Sequence, residues 1–321
     1  MISDNVITFT DTNGKLMALK PDVTLSIVKN TKDGEGLRKV YYDENVYRIS
    51  GSSRAYREIM QTGLECIGDI DDYAMTEVLM LAAESLARIS ADYVLDVSEL
   101  DIVSAVIDGF GVDAETRAAL LAAVGEKNLH TITALTVAAG VPEEKAACLR
   151  RLITLQGESV RVITALRALL AGTTAMAAVE RLARIMTALE AMGYGKKVRI
   201  DFSVVDDMNY YNGIVFKGFV NGVPSGVLSG GQYDRLMRKM GKKSAAVGFA
   251  VYLDLLERLQ ETRQEYDVDV LALYSTDMPL DQLTARVRDI VAAGESVLMR
   301  TAVPANVRYK RVLDLREKGD C

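Results

Sequence analysis

Three short stretches of this chain carry side chains that could do chemistry together. In the run from Tyr56 to Ile67, alternation along an extended strand puts Arg57, Ile59, Gln61, Gly63 and Glu65 on one face. Gln61 and Glu65 flank the glycine, so the centre of that face has no side chain and a small molecule has room on the backbone between two polar groups. The second stretch, Asn209 to Asp234, opens on Tyr210 and Tyr211 and closes on Gly230, Gly231 and Tyr233. On an extended strand the two adjacent tyrosines point to opposite faces, so only one of them faces any given pocket. The third stretch is LKPDVT, where Asp22 is placed to cap a helix from Val23 to Lys29, with Thr24 in its first turn. Each feature also has a plainer reading: Asp22 as a cap alone, the strand face as an ordinary exposed face, the tyrosines as solvated surface groups.

The elements that would hold these residues follow from local pattern. Asn13-Gly14 and Asn221-Gly222 each lie between apolar runs and predict tight two-residue hairpins, in which both central residues take positive φ. Short strands are expected around Lys39 to Tyr42 and up to Arg48, with a turn at Gly51-Ser52-Ser53 before the strand from Tyr56. Asp71-Asp72 precedes an amphipathic helix through Met75, Val78, Leu79, Ala82, Leu86 and Ile89, which should cover the back of the sheet. Residues 101–193 read as an almost wholly helical insertion, with breaks at Gly140, Gly157 and Gly172. Strand pattern returns from Lys197 to Val205, and AAVGFA runs into a helix before Gln260. The expected fold class is α+β: an antiparallel sheet flanked by helices in residues 1–260, then, past a polar linker at Glu261 to Glu265, a short β-α-β segment in residues 267–321.

Composition narrows the classes. The chain has 321 residues, long enough for two unequal domains, and with 49% hydrophobic and 26% charged residues it reads as a soluble globular protein. Met1 to Phe9 lacks the basic and apolar regions of a signal peptide, and the three cysteines, Cys66, Cys148 and Cys321, are too scattered for a disulfide framework or a metal site. A cytoplasmic location without metal or cofactor is expected. A net charge of −6 with no dense basic stripe argues against a broad nucleic-acid footprint. The single histidine, His130, sits in an Ala/Leu-rich helical region, which leaves histidine-based acid–base catalysis little to work with.

Across roughly residues 5 to 260 the chain resembles the class II histidyl-tRNA synthetase family. The resemblance rests on LKPDVT (19–24), VYRISGSSRAYREIMQTGLECIG (46–68), NYYNGIVF (209–216), SGGQYDRL (229–236) and AVGFAVYL (246–253), in the family's order. It implies that Glu65 binds the imidazole of histidine with Tyr211 and Tyr233 beside it, and that Asp22, Thr24 and Gln61 meet the α-amino end. Such a set is chemically apt, since a carboxylate and phenol hydroxyls offer charge-assisted and neutral hydrogen bonds to both ring nitrogens. The family's arginine ahead of the double tyrosine is replaced by Val205-Asp206-Asp207-Met208, its later ATP-gripping arginine by Leu255, and a small residue upstream of that by Tyr252. Arg48 matches an ATP-contacting arginine, but Ser50 stands where an acidic residue is expected. Losing two cations removes stabilisation of developing phosphate charge of ~3 to 4 kcal/mol per group, so adenylation is expected to fail. The family's first motif, much of the dimer interface, has its place before residue 5, and residues 267–321 have room for only part of an anticodon-binding-like domain.

A histidine pocket kept without adenylation machinery resembles the regulatory subunits of ATP phosphoribosyltransferase. That resemblance implies a non-catalytic chain that assembles with a short catalytic subunit, is required for its activity and senses free histidine in histidine biosynthesis. It also implies a homodimer within the assembly, and no tRNA or membrane partner. Arg48 and Arg57 are candidate anion-binding residues, and an atypical synthetase or another synthetase paralogue is the alternative.

Overall fold

The alternating stretch Tyr56–Gly68 becomes the longest strand of an eight-stranded sheet. The structure is a computed structural model and describes residues 6–34, 36–49, 55–205, 210–259 and 266–316. It comprises two units, Met1–Arg258 and Leu259–Cys321. In chain order the first contains β1 (Thr8–Thr10), β2 (Leu16–Ala18), α1 (Thr24–Asn30), β3 (Arg38–Ile49), β4 (Tyr56–Gly68), α2 (Asp72–Ile89) and β5 (Tyr93–Glu99). A mainly helical stretch follows: α3 (Leu100–Asp108), α4 (Ala114–Gly125), α5 (Leu129–Ala138), α6 (Glu143–Thr154), β6 (Gln156–Gly157), α7 (Ser159–Leu169) and α8 (Met176–Ala191). The chain then returns to the sheet with β7 (Val198–Asp201), β8 (Asn212–Val220), β9 (Leu228–Gln232), α9 (Asp234–Lys239) and β10 (Ala245–Tyr252).

The strand order is β3-β4-β10-β9-β8-β5-β7-β6, antiparallel throughout except for the parallel pair β5 and β7. Helix α2 covers one face. Asp71 caps α2 by accepting from the Ala74 amide, and the buried stripe Met75, Val78, Leu79, Ala82 and Leu86 turns toward the sheet. Gly218 of β8 admits that helix, since a Cβ there would stand 2.7 Å from Leu86 Cδ1. Alternation therefore sends Lys217 to the opposite face, where α1 and α9 pack through Val28, Leu236 and Met237 onto Ile67 and Tyr233.

The α+β expectation agrees with this architecture, while several local expectations do not. The two strands foreseen between Lys39 and Arg48 are one, β3, because every residue from Arg38 to Ile49 finds a partner on β4. The helical stretch contains β6, which pairs with β7. A 3-10 helix, Leu253–Leu259, replaces the α-helix expected after AAVGFA. Neither Asn-Gly pair makes a two-residue turn: only Gly14 and Gly222 have positive φ. The Asp11 carboxylate accepts from the Asn13 and Lys15 amides and widens the first loop. Asn221 instead donates from its backbone and side chain to Asp92, and the strand restarts only at Leu228. The turn at 51–53 and the linker at 261–265 lie outside the described residues.

The second unit has the expected strand, helix and strand as β11 (Val268–Leu273), α10 (Leu280–Ala292) and β12 (Val297–Arg300). A further strand, β13 (Tyr309–Asp314), joins β11 in parallel, giving the order β12-β11-β13. Its mixed, charged sequence YKRVLD carries little alternation to announce it.

Candidate functional site

On the face away from α2, the pleat aligns side chains in rows across five strands. Glu65 on β4 stands opposite Gly248 on β10, which stands opposite Gly231 on β9. One step along, Tyr42, Gly63, Ala250, Ser229 and Lys217 form a second row from β3 to β8, and Gln61 pairs with Tyr252 in a third. These rows floor a cavity of about 450 Å³ whose walls include Pro21, Asp22, Thr24, Arg48, Tyr210 and Tyr211. Glycine is required in the first row, because a Cβ at Gly248 would lie 1.9 Å from Glu65 Oε2 and one at Gly231 2.9 Å from Tyr211 Cδ1.

Glu65 is the chemical centre of this floor. It is 2% exposed, and its carboxylate accepts from Thr24 Oγ1 at 2.5 Å and from the Tyr233 hydroxyl at 2.6 Å. Burial pushes its pKa up to about 7, the two hydroxyl donors oppose the shift, and the nearby Asp22 carboxylate adds to it. A carboxylate has roughly four lone-pair sites, so two donors leave it able to accept more from the cavity. Tyr233 is buried, and burial together with Glu65 holds its hydroxyl protonated far above its ordinary range. That fixes the direction of the bond: the phenol donates.

Helix α1 starts one residue later than expected, so Val23 and not Asp22 is its N-cap, although Asp22 still binds the first turn. Asp22 Oδ1 accepts from the Leu25 amide at 2.9 Å, while its Oδ2 lies 3.5 Å from Arg48 Nη2. Arg48 Nε donates to the Pro21 carbonyl at 2.8 Å, so this guanidinium is tied to the wall that presents Asp22 and Thr24. Asp22, Thr24, Gln61, Glu65, Tyr211, Tyr233 and Arg48 thus surround one cavity. Arg57 does not join them: it is exposed, four residues from Gln61 toward the open end of β4, and outside the lining.

Two sequence expectations about the site are corrected by geometry. The space above Gly63 is not empty, because the Tyr42 ring fills it; a Cβ at Gly63 would lie 2.4 Å from Tyr42 Cζ. Tyr210 and Tyr211 do not divide between two faces. Tyr210 precedes β8, a register shift follows between Asn212 and Val215, and Gly213 has φ 58°, so strand alternation does not govern the pair. Both rings reach the cavity, 4.6 Å apart edge to face, and Tyr210 lies 5.8 Å from Tyr233.

The family description Histidyl-tRNA synthetase matches residues 2–256. The chain belongs to the histidyl-tRNA synthetase family. Among curated relatives, an ATP phosphoribosyltransferase regulatory subunit of Alkaliphilus metalliredigens is 27% identical over 79% of this chain and 66% of the relative. A protein of the same name from Bacillus thuringiensis is 26% identical over 83% and 66%. The chain therefore spans about 66% of the length of these relatives. A solved histidine–tRNA ligase subunit of Alicyclobacillus acidocaldarius is 26% identical, with a TM-score of 0.67 over 81% of each chain. A Bacillus halodurans structure, described as an ATP phosphoribosyltransferase regulatory subunit/histidyl-tRNA synthetase, shares the fold with a TM-score of 0.72 over 99% of this chain and 85% of its own, at 24% identity.

Of the positions where the chain departs from the histidyl-tRNA synthetase pattern, Ser50 and Asp206 to Met208 lie outside the described residues. Tyr252 lines the cavity, and Leu255 sits in the 3-10 helix and does not. Sequence reading missed Tyr42, Tyr210 and Lys217 as cavity residues. Lys217 was signalled by its even spacing from Val215 once Gly218 is assigned to the helix side, whereas the pairing of Tyr42 with Gly63 rests on strand register. Among the described residues there is no cluster of three or more His, Cys, Asp or Glu suited to a metal, and no helix long and apolar enough to cross a membrane.

Proposed function

We propose that this chain is a non-catalytic regulatory subunit of ATP phosphoribosyltransferase, that it assembles with a short catalytic subunit, and that its cavity senses free histidine. Two copies of the chain take part in the assembly. The observation that carries the reading is Glu65, buried at the floor of an open cavity, bonded to two hydroxyls and paired with no cation among the described residues. Such a group favours a ligand that brings its own N–H donors, as an imidazole does, and Tyr211 and Tyr233 border the same place. Asp22, Thr24 and Gln61 line the wall that would meet an ammonium group. Arg48 is tied to the same wall by its bonds to Pro21 and Asp22, and Leu255 and Asp206 stand where the histidyl-tRNA synthetase pattern has the cations of adenylation, which supports the non-catalytic half of the reading. The names of the curated relatives point to the same assembly.

The test is co-purification with a short catalytic subunit, then an assay with ATP and phosphoribosyl pyrophosphate with and without histidine. Complex formation, activation and inhibition by histidine are expected. Histidine-dependent pyrophosphate exchange by the purified chain, at a rate typical of a synthetase, would replace this reading with an atypical histidyl-tRNA synthetase.

A further inference from the structure

Resting on the histidine reading of the cavity, we propose that Lys217 is the cation that holds the ligand's carboxylate, and so sets a preference for the whole amino acid over amines of the same shape. Among the described residues the cavity is lined by two bases, Arg48 and Lys217. Arg48 is engaged by the Pro21 carbonyl and Asp22. Lys217 has no hydrogen-bond or ion-pair partner among the described residues, although it lines the cavity and is half-buried. Its stem is fixed: it lies across Gly226, where a Cβ would stand 2.5 Å from Lys217 Cε and 2.9 Å from Cγ. An ammonium group with a positioned stem and no internal partner is suited to an incoming anion.

The placement of charge across the floor gives that anion an identity. Both acids, Asp22 and Glu65, belong to the α1 and β4 side, and Lys217 stands on β8, three strands from β4. Three strand spacings are roughly 14 Å, a gap that two side chains reaching inward reduce to the length of one small molecule. A zwitterion with a basic ring satisfies all three groups at once: ring at Glu65, ammonium at Asp22, carboxylate at Lys217. Asp22 disfavours the reverse orientation by like-charge repulsion. Ser225 and Ser229 border the lysine end, where hydroxyls can add neutral hydrogen bonds to a carboxylate.

The experiment compares L-histidine with histamine, which lacks the carboxylate, by calorimetric titration of the full chain. Wild type is expected to bind histidine about tenfold more tightly than histamine, the size of one partly exposed charge-assisted hydrogen bond. Lys217→Ala should bring that ratio close to one by weakening histidine alone, and Lys217→Arg should keep most of it. Gly226 is outside the left-handed region, so Gly226→Ala retains the charge but pushes the stem aside, and should lower the ratio in part. Arg48→Ala should weaken both ligands alike, because Arg48 acts through the Asp22 wall. A ratio unchanged in Lys217→Ala, or a wild type that binds histamine as well as histidine, overturns the assignment of Lys217 and leaves the histidine pocket standing. A wild type that binds neither ligand overturns both.

Discussion

Glu65 and Glu99 are two of the carboxylates buried in the same sheet, and their surroundings divide its structural half from its binding half. Glu65 is 2% exposed and Glu99 1%; burial pushes the first up to about 7 and the second to about 8. Glu99 closes β5 and accepts from the Asp101 amide at 3.4 Å, with Arg181 Nη1 3.7 Å from its other oxygen. That oxygen has no hydrogen bond, so the attraction of Arg181 is coulombic and comes in full only as Glu99 ionises above about 8. Arg181 also bonds Asp72 of α2 and Gln232 of β9, while Gln232 and Asn212 both donate to Asp234 Oδ2. Glu99 thus anchors a network that ties the helices to β8 and β9. Glu65 has only hydroxyl partners and an opening in front of it. A buried acid given an internal cation is structural; one given donors but no cation leaves its charge to be met by a ligand.

The comparison breaks most sharply at Gly248. Its Cβ position is 1.9 Å from Glu65 Oε2 and 2.5 Å from the Leu64 carbonyl, so Gly248→Ala must displace both side chain and backbone. We expect a loss of about 3 kcal/mol in urea unfolding, the upper range for overpacking, together with loss of histidine binding. Adding Glu65→Ala should recover part of the stability and none of the binding; strictly additive effects would show that the two sites do not press on one another.

Removing Arg181 should injure the structural half alone. Arg181→Met leaves Glu99 without its cation, and we expect a loss on the order of 2 kcal/mol at pH 9, discounted from the usual cost because the pair is long and Glu99 can take up a proton. The folded-state value of Glu99 is raised, so the folded protein holds that proton more strongly than the unfolded chain, and stability falls as pH rises toward about 8. Without Arg181 the fall should continue to higher pH. Histidine affinity should stay within about twofold, whereas Glu65→Ala should weaken it ten- to a hundredfold, the loss of a desolvated charge-assisted bond of ~1.5 to 3 kcal/mol. Titration of both variants separates the two halves.

What the sequence disclosed divides along the same line. Strand alternation placed Gln61 and Glu65 on one face, and the pattern before Ile89 marked the helix behind the sheet, because period and burial agree there. Alternation failed for Tyr210 and Tyr211, since a register shift and a left-handed glycine interrupt the strand beside them. The Tyr42 ring over Gly63 was illegible because it depends on which residue of β3 pairs with the glycine, and register is a long-range property. Glu99 drew no attention either. It lies at the end of an apolar strand, and only the fold reveals that its cation comes from Arg181, 82 residues away in sequence.

The pH dependence of stability is the most direct reading of Glu65 itself. Its folded-state value is about 7 against an ordinary 4.5, so between those values the folded protein keeps a proton that the unfolded chain has released. Stability must therefore decline as pH rises from 4.5 to 7 and stay level above, by at most an order of 3 kcal/mol and by less if the cavity admits water. Glu65→Gln carries no charge at any pH, and the Thr24 and Tyr233 hydroxyls can still bond its amide. Glu99 declines in the same direction but is present in both proteins, so it cancels in their difference. The variant should gain stability relative to wild type between pH 5 and pH 8, as judged by urea midpoints, while binding histidine about tenfold more weakly. Saturating histidine should narrow that gap, because it stabilises wild type more than a variant that binds it about tenfold more weakly. A gap that does not change with pH would mean that Glu65 already has its counter-charge within the fold, and the division between the two carboxylates would collapse.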